Sequence, residues 1–210
     1  MDTAINASEQ SNALAAGFKD PVHDAQECFR AIMNAMARPG TEQSIQEVDL
    51  APPAPLTPTV AAVALTLLDY DTPVWLDRPL MTSEAVKSFL RFHTGAPIVK
   101  EPVEAAFALV ADPAHLVPLT SFNQGSAEYP DRSTTVVLSL QEFSKHQAVM
   151  LEGPGIKDKA SLSTGPLPPV FWDQVSANNR LFPRGVDLIF SGNGRICALP
   201  RSSRVLFSEI

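Results

Sequence analysis

The side chains best suited to proton transfer, anion binding or nucleophilic attack in this 210-residue chain are four histidines, ten arginines and two cysteines. The histidines (His23, His93, His115 and His146) are widely separated, so only convergence on folding could join them into one centre. His93 stands out. It falls seven residues after Val86, on the apolar face and in the last turn of a predicted helix. There the helix dipole favours a cation by about 0.3–1 kcal/mol. Two roles fit it: a proton-transfer or anion-contact group, and a packed imidazole that donates to a nearby carbonyl. His23 lies in a first helical turn, where positive charge is disfavoured, and suits a neutral surface role.

Arg132 follows the turn Tyr129-Pro130-Asp131 and precedes a β-branched run. Loops at strand ends are where α/β folds place ligand groups, so Arg132 could hold a phosphate or carboxylate, with Arg184 and Arg201 as the next candidates. Pairing with an acid elsewhere is the structural alternative. Residues 174–210 hold five arginines against only Asp187 and Glu209. Forked guanidinium donors serve both bidentate anion contacts and interface ion pairs, and composition does not choose between them. Arg38, at a helix end, suits the last carbonyls of that helix. Gly153-Pro154-Gly155 is too short for a phosphate cradle, and Pro154 lacks the N–H such a loop uses, so it reads as a sharp turn. Walker, Gly-x-Gly-x-x-Gly, Gly-x-Ser-x-Gly and His-Glu-x-x-His signatures are absent. Cys28 and Cys197 form neither a disulfide framework nor a metal set and read as buried thiols.

These residues need elements to position them. Residues 1–16 are small and polar, with the character of a disordered tail, and residues 17–210 read as a single domain. Asp20-Pro21 is a cap followed by a first-turn proline; Val22, Ala25, Phe29, Ile32, Met33 and Met36 then recur at helical spacing up to Arg38 and Gly40. Thr41 to Val48 alternates weakly, as a strand would. Thr57-Pro58 opens a second helix to about Leu68, apolar on nearly every side and therefore buried. Val74-Trp75-Leu76 reads as a short buried strand. Ser83 caps a third helix with Val86, Phe89, Leu90 and His93 on one face. Strands are expected at 106–111, at 134–140 as the central one, and at 148–152. Residues 118–133 read as a loop. Pro168-Pro169 starts a helix to about Leu181. Asn193-Gly194 between the apolar runs 186–190 and 196–199 is a hairpin signal, and 205–207 suits a last strand. The mixture predicts a three-layer α/β/α fold around a mixed sheet.

Composition sets the outer bounds. A net charge of -7 argues against bulk nucleic-acid binding and so against DNA as a partner. The charge is uneven: residues 1–60 hold eight acids and three bases. The longest apolar stretch, Val60 to Leu68, is interrupted by Thr66 and falls short of the roughly 20 residues of a membrane span. The first residues show neither a basic patch nor an apolar core, so no secretory signal is visible and a cytoplasmic location is expected. From the residues alone, binding or assembly ranks ahead of catalysis.

Several longer stretches can then be read in order: Gly17-Phe18 to Asp20-Pro21 with Phe29-Arg30 and Ala35-Met36-Ala37-Arg38-Pro39-Gly40; Asp71-Thr72-Pro73-Val74-Trp75-Leu76-Asp77; Phe92-His93-Thr94-Gly95-Ala96-Pro97; Tyr129-Pro130-Asp131-Arg132-Ser133-Thr134-Thr135; Leu151-Glu152-Gly153-Pro154-Gly155-Ile156; Phe182-Pro183-Arg184-Gly185-Val186-Asp187; and Leu199-Pro200-Arg201-Ser202. Over about residues 17–207 the chain resembles the PhnH family, the H subunits of the bacterial carbon–phosphorus lyase system. The resemblance implies a fold similar to the large domain of pyridoxal-phosphate-dependent transferases but without that cofactor, and indeed with no cofactor. It implies a homodimer that joins the G, I and J subunits in a core complex. With G, I and the L protein, that complex supports attack of a phosphonate on the ribose of ATP, giving a ribose 1-phosphonate 5-triphosphate, and the J subunit later breaks the carbon–phosphorus bond. ATP or a phosphonate is the implied ligand. The chain has no iron–sulfur cysteine set and no lysine context that marks a Schiff base, consistent with an accessory role. The resemblance transfers no agreed catalytic residues, and whether H itself catalyses a step stays open. The alternative from the residues is a stand-alone enzyme or anion-binding protein acting on a phosphorylated metabolite or nucleotide, with His93 as acid/base and an arginine as anchor.

Overall fold

A computed structural model describes residues 15–45, 49–143, 148–165, 167–168 and 170–206. Helix α1 (Pro21–Ala37) starts at Asp20, whose carboxylate accepts the His23 N–H at 3.1 Å. It leads to β1 (Gln43–Ser44), α2 (Pro58–Leu67), β2 (Val74–Leu76), the short α3 (Arg78–Met81), α4 (Glu84–Thr94), β3 (Ile98–Val99) and β4 (Phe107–Val110). Three single 3₁₀ turns cross the segment to β5 (Thr135–Ser139). Then come β6 (Ala148–Glu152), β7 (Ala160–Ser163), α5 (Phe171–Asn179), the hairpin β8 (Asp187–Gly192) and β9 (Arg195–Leu199), and β10 (Arg204–Leu206).

Seven strands form one sheet in the order β1-β9-β8-β5-β4-β2-β3. Strands β2, β3, β4, β5 and β8 run parallel, and β9 and β1 add the antiparallel edge. The expected mixed sheet with helices is present. Strand β5 is central, as its β-branched run predicts: Val136, Val137 and Leu138 are all fully buried, because both faces are covered. On one face Val137 and Ile189 pack with α1, α2 and α4. On the other, Val136, Leu138 and Phe190 pack with α5, Leu119 and Phe122 and a small antiparallel sheet ordered β10-β6-β7.

Helix α1 departs from its expected apolar face. The packed stripe is Cys28, Ile32 and Ala35, while Val22, Phe29 and Met33 lie on the solvent side. The helix sits on α2 and β9, and the stripe at steps of four and three residues is the one that fits that groove. Strands β3 and β7 and helix α3 were not expected. The strand expected at 41–48 is described only as far as Ile45; residues 46–48 lie outside the described residues, as do residues 1–14 of the expected tail and Phe207. Ala15, within that tail range, packs against the core.

Candidate functional site

The parallel strands begin where several loops converge. Strands β5 and β8 start side by side, with Thr135 level with Asp187. The Asp187 carboxylate accepts the Arg201 backbone N–H at 2.8 Å and its Nε–H at 3.1 Å, and the second oxygen accepts from the other arm of the fork. The remaining arm donates to the Pro130 carbonyl. Asn179 Nδ2 donates to the Arg201 carbonyl at 2.8 Å. Bidentate, charge-assisted geometry makes this among the stronger pairings available, and the two side chains are only 14% and 13% exposed. Three of the five guanidinium N–H groups are used, so Arg201 is a strut first.

Two further locks shape the loops around it. Asn178 pairs both ways with Val186, donating from Nδ2 at 2.9 Å and accepting at Oδ1 at 2.8 Å. Gly155, at φ +80°, lies so close to the end of α1 that a Cβ there would stand 2.1 Å from the Ala37 carbonyl oxygen. No other residue fits that approach. The Gly153-Pro154-Gly155 segment is thus a turn that seats the small sheet against α1, as its composition suggested.

The result is an open cleft of about 530 Å³, walled by Met36 and Ala37, Pro130 and Asp131, Pro154 and Gly155, Phe182 and Pro183, and Pro200 to Ser202. Phe182 is 60% exposed there. Arg132 follows the wall residue Asp131; its guanidinium lies over the Tyr129 ring at 4.4 Å and is exposed. Arg184 follows Pro183 and is also exposed. Neither makes an ion pair among the described residues. Of the three arginines only Arg201 lines the cleft, as a neutralised fork, while Arg132 and Arg184 follow wall residues in the chain and stay exposed.

His93 is elsewhere. Its Nε2–H donates to the Ala15 carbonyl at 2.9 Å, and its ring packs on Phe89 at 4.5 Å and Phe92 at 5.0 Å. It pins the chain entering α1 across a hollow shared with Gly17, Phe18 and Leu65. His23 faces Glu27 at 3.2 Å and His115 faces Asp112 at 2.7 Å, while His146 lies outside the described residues. No three metal-binding side chains cluster among the described residues. Both cysteines are buried; burial raises the Cys28 thiol and pushes Cys197 up to about 12.

Sequence reasoning missed Asp77. Buried at the end of β2, its carboxylate accepts Ala111 and Asp112 N–H groups at 2.8 Å each and the Leu80 N–H at 3.3 Å. Burial raises its pKa against the pull of those bonds. The signal was present: an aspartate directly after an apolar strand, with Pro79 two positions on, is a helix start.

A family model described as bacterial phosphonate metabolism protein (PhnH) matches residues 16–206. The chain belongs to the PhnH family. Over 196 residues it is 41% identical to the alpha-D-ribose 1-methylphosphonate 5-triphosphate synthase subunit PhnH of Rhizobium meliloti (strain 1021), a match covering 93% of this chain and 97% of that one. A shorter match, 36% over 103 residues, covers 49% of this chain and 52% of the putative C-P lyase subunit protein HtxG of Stutzerimonas stutzeri. The stretches that carry the PhnH resemblance are far apart in sequence, yet those around Met36, Pro130, Gly155, Phe182 and Arg201 all meet at the cleft.

Proposed function

We propose that this chain is the H subunit of a multi-subunit enzyme of bacterial phosphonate breakdown, the one that forms ribose 1-methylphosphonate 5-triphosphate from ATP and a phosphonate. The observation that carries this reading is the 41% identity to the Rhizobium meliloti subunit over nearly its whole length. Its partners are the G, I and J subunits and a second copy of itself, and its location is the cytoplasm. Among the described residues no helix is long and apolar enough to cross a membrane. Its fold is that of the large domain of pyridoxal-phosphate-dependent transferases used without the cofactor.

Within that assembly the cleft is the site of contact with substrate. Arg132 and Arg184 take phosphate or phosphonate oxygens, Phe182 offers a ring for stacking, and Arg201 holds the walls at a fixed spacing. Among the described residues the cleft walls carry Asp131 and Asp187 as their only acids, and Asp187 is spent on Arg201. Binding and presentation suit such a lining better than acid/base chemistry by this chain alone. The exposed apolar residues Val22, Phe29 and Met33 on α1 give the partners a surface to cover.

The test is growth. A bacterial strain that carries the other carbon–phosphorus lyase genes but lacks its own H subunit is supplied with this chain and given methylphosphonate as sole phosphorus source. Growth is the expected result, with Arg132→Ala plus Arg184→Ala failing to support it. No growth from a well-expressed wild-type chain would overturn the assignment.

A further inference from the structure

Helix α1 carries more apolar residues than its packing uses. Cys28, Ile32 and Ala35 face the core, yet Val22, Phe29 and Met33 are 69%, 48% and 51% exposed. Soluble chains normally expose such residues singly. Here they are aligned. Val22, Gln26, Phe29, Met33 and Met36 follow one another at steps of four, three, four and three. That is the spacing of the seam between two paired helices, where each apolar residue fits between four residues of the facing helix. Gln26 is the one polar member, and a single polar residue in such a seam fixes the register of its partner.

Charge decides what lies opposite. On the solvent side the seam is flanked by His23, Arg30 and Ala37. His23 faces Glu27 at 3.2 Å. Arg30 is exposed and makes no ion pair among the described residues, and the same holds for Arg38 just past the end of the seam. A facing helix that complements this flank brings acids to it.

A second copy of α1 supplies none. Two copies laid antiparallel about Phe29, the midpoint of the seam, set Arg30 against Arg30, and like charges so placed reject a partner. Laid parallel, they set Arg30 beside Ala25, which is apolar. The seam also leads somewhere. Met36 and Ala37, at its end, are walls of the cleft, so a helix seated along α1 borders that cleft.

We propose that the outer face of α1 docks an amphipathic helix of another chain of the assembly, one with apolar residues at the same four-three spacing and acidic residues opposite Arg30 and Arg38. This rests on the chain being a subunit, and adds which face is used and what kind of element lies on it.

The experiment is site-specific photo-cross-linking. The photoreactive residue p-benzoylphenylalanine is placed at Phe29 or at Met33, and the full-length chain is co-expressed with the G, I and J subunits, purified as the complex and illuminated. Both positions are exposed, so the replacement leaves the core intact. The expected result is that both positions cross-link to one segment of another subunit, with apolar residues at four-three spacing and acidic flanks. The same residue placed at Val170, exposed at the start of α5 on the other side of the sheet, should not reach that segment. Arg30→Glu should lower the yield from Met33 several-fold, and Arg30→Lys should keep it. Within an intact complex, cross-links to a second copy of this chain, to a segment without that pattern, or to no partner would overturn the docking site and leave the subunit reading standing. So would an unchanged yield in Arg30→Glu. Failure of the wild-type chain to enter any complex would overturn both.

Discussion

Arg201 and Arg132 carry the same guanidinium and are set to different tasks. Arg201 is nearly buried and held by Asp187 and the Pro130 carbonyl. Removing it leaves a carboxylate stranded in a largely dry site. Arg201→Ala is therefore expected to lower stability by about 2–4 kcal/mol in urea unfolding, while Arg132→Ala, exposed on the Tyr129 ring, stays within about 0.5 kcal/mol of wild type. Equal effects would mean that the strut and the open cation had been assigned wrongly. The pairing was not legible in the sequence, because the acid and the arginine are 14 residues apart and nothing in their types forces them together. His93 is the converse case. Its helical position left a chemical and a packing role open, and what fixed its surroundings was Ala15, 78 residues away.

The thiols give a pH prediction at the same scale. Burial pushes Cys197 from an ordinary 9.0 to about 12, so the folded chain keeps that proton after the unfolded chain has lost it. A group with its folded pKa raised contributes stability that is whole below the unfolded value and lost as pH rises toward the folded one. Stability attributable to Cys197 should thus hold through pH 8 and fall above about 9. Cys197→Ala should flatten that fall in denaturation curves taken at successive pH values, and an unchanged slope would contradict it.

Among the elements, the strands were most legible where burial on two sides demanded β-branched residues, as in β5. The short edge strand β3 has two residues and β7 carries polar Ser161 and Ser163, so neither shows a pattern. Helix α1 shows where periodicity runs out. Its apolar residues form two overlapping stripes, and composition cannot say which one finds the groove on α2 and β9. The observed packing predicts that Ile32→Ala costs about 2–5 kcal/mol, whereas Met33→Gln, half exposed, leaves the thermal midpoint of the isolated chain nearly unchanged. A larger loss from Met33 would mean that the outer stripe is already covered in the isolated protein, by a second copy.

At the scale of the whole molecule, a hollow lies at each end of the parallel strands. Loops from Met36 to Ser202 close a cleft at the amino ends of the parallel strands, and α2 overlooks a neutral hollow at their carboxyl ends. The ordered stretches in the sequence led to the PhnH family, while Arg132, Arg184 and Arg201 came from the chemistry of arginines beside turns and strand ends. That the stretches bearing them meet at one cleft depends on the order of strands and on close approaches such as Gly155 to Ala37, which no local pattern encodes. The hollow left no motif at all: Thr57, Thr59, Ser139 and Gln141 meet there only through the order of strands and the placing of one helix end.

The central claim is that this chain works as a part of an assembly. It is tested most directly by co-expressing it with the G, I and J subunits and measuring the products by size-exclusion chromatography with light scattering. One large species containing all four chains is the predicted result. A complex of the other three beside a free population of this chain would contradict it.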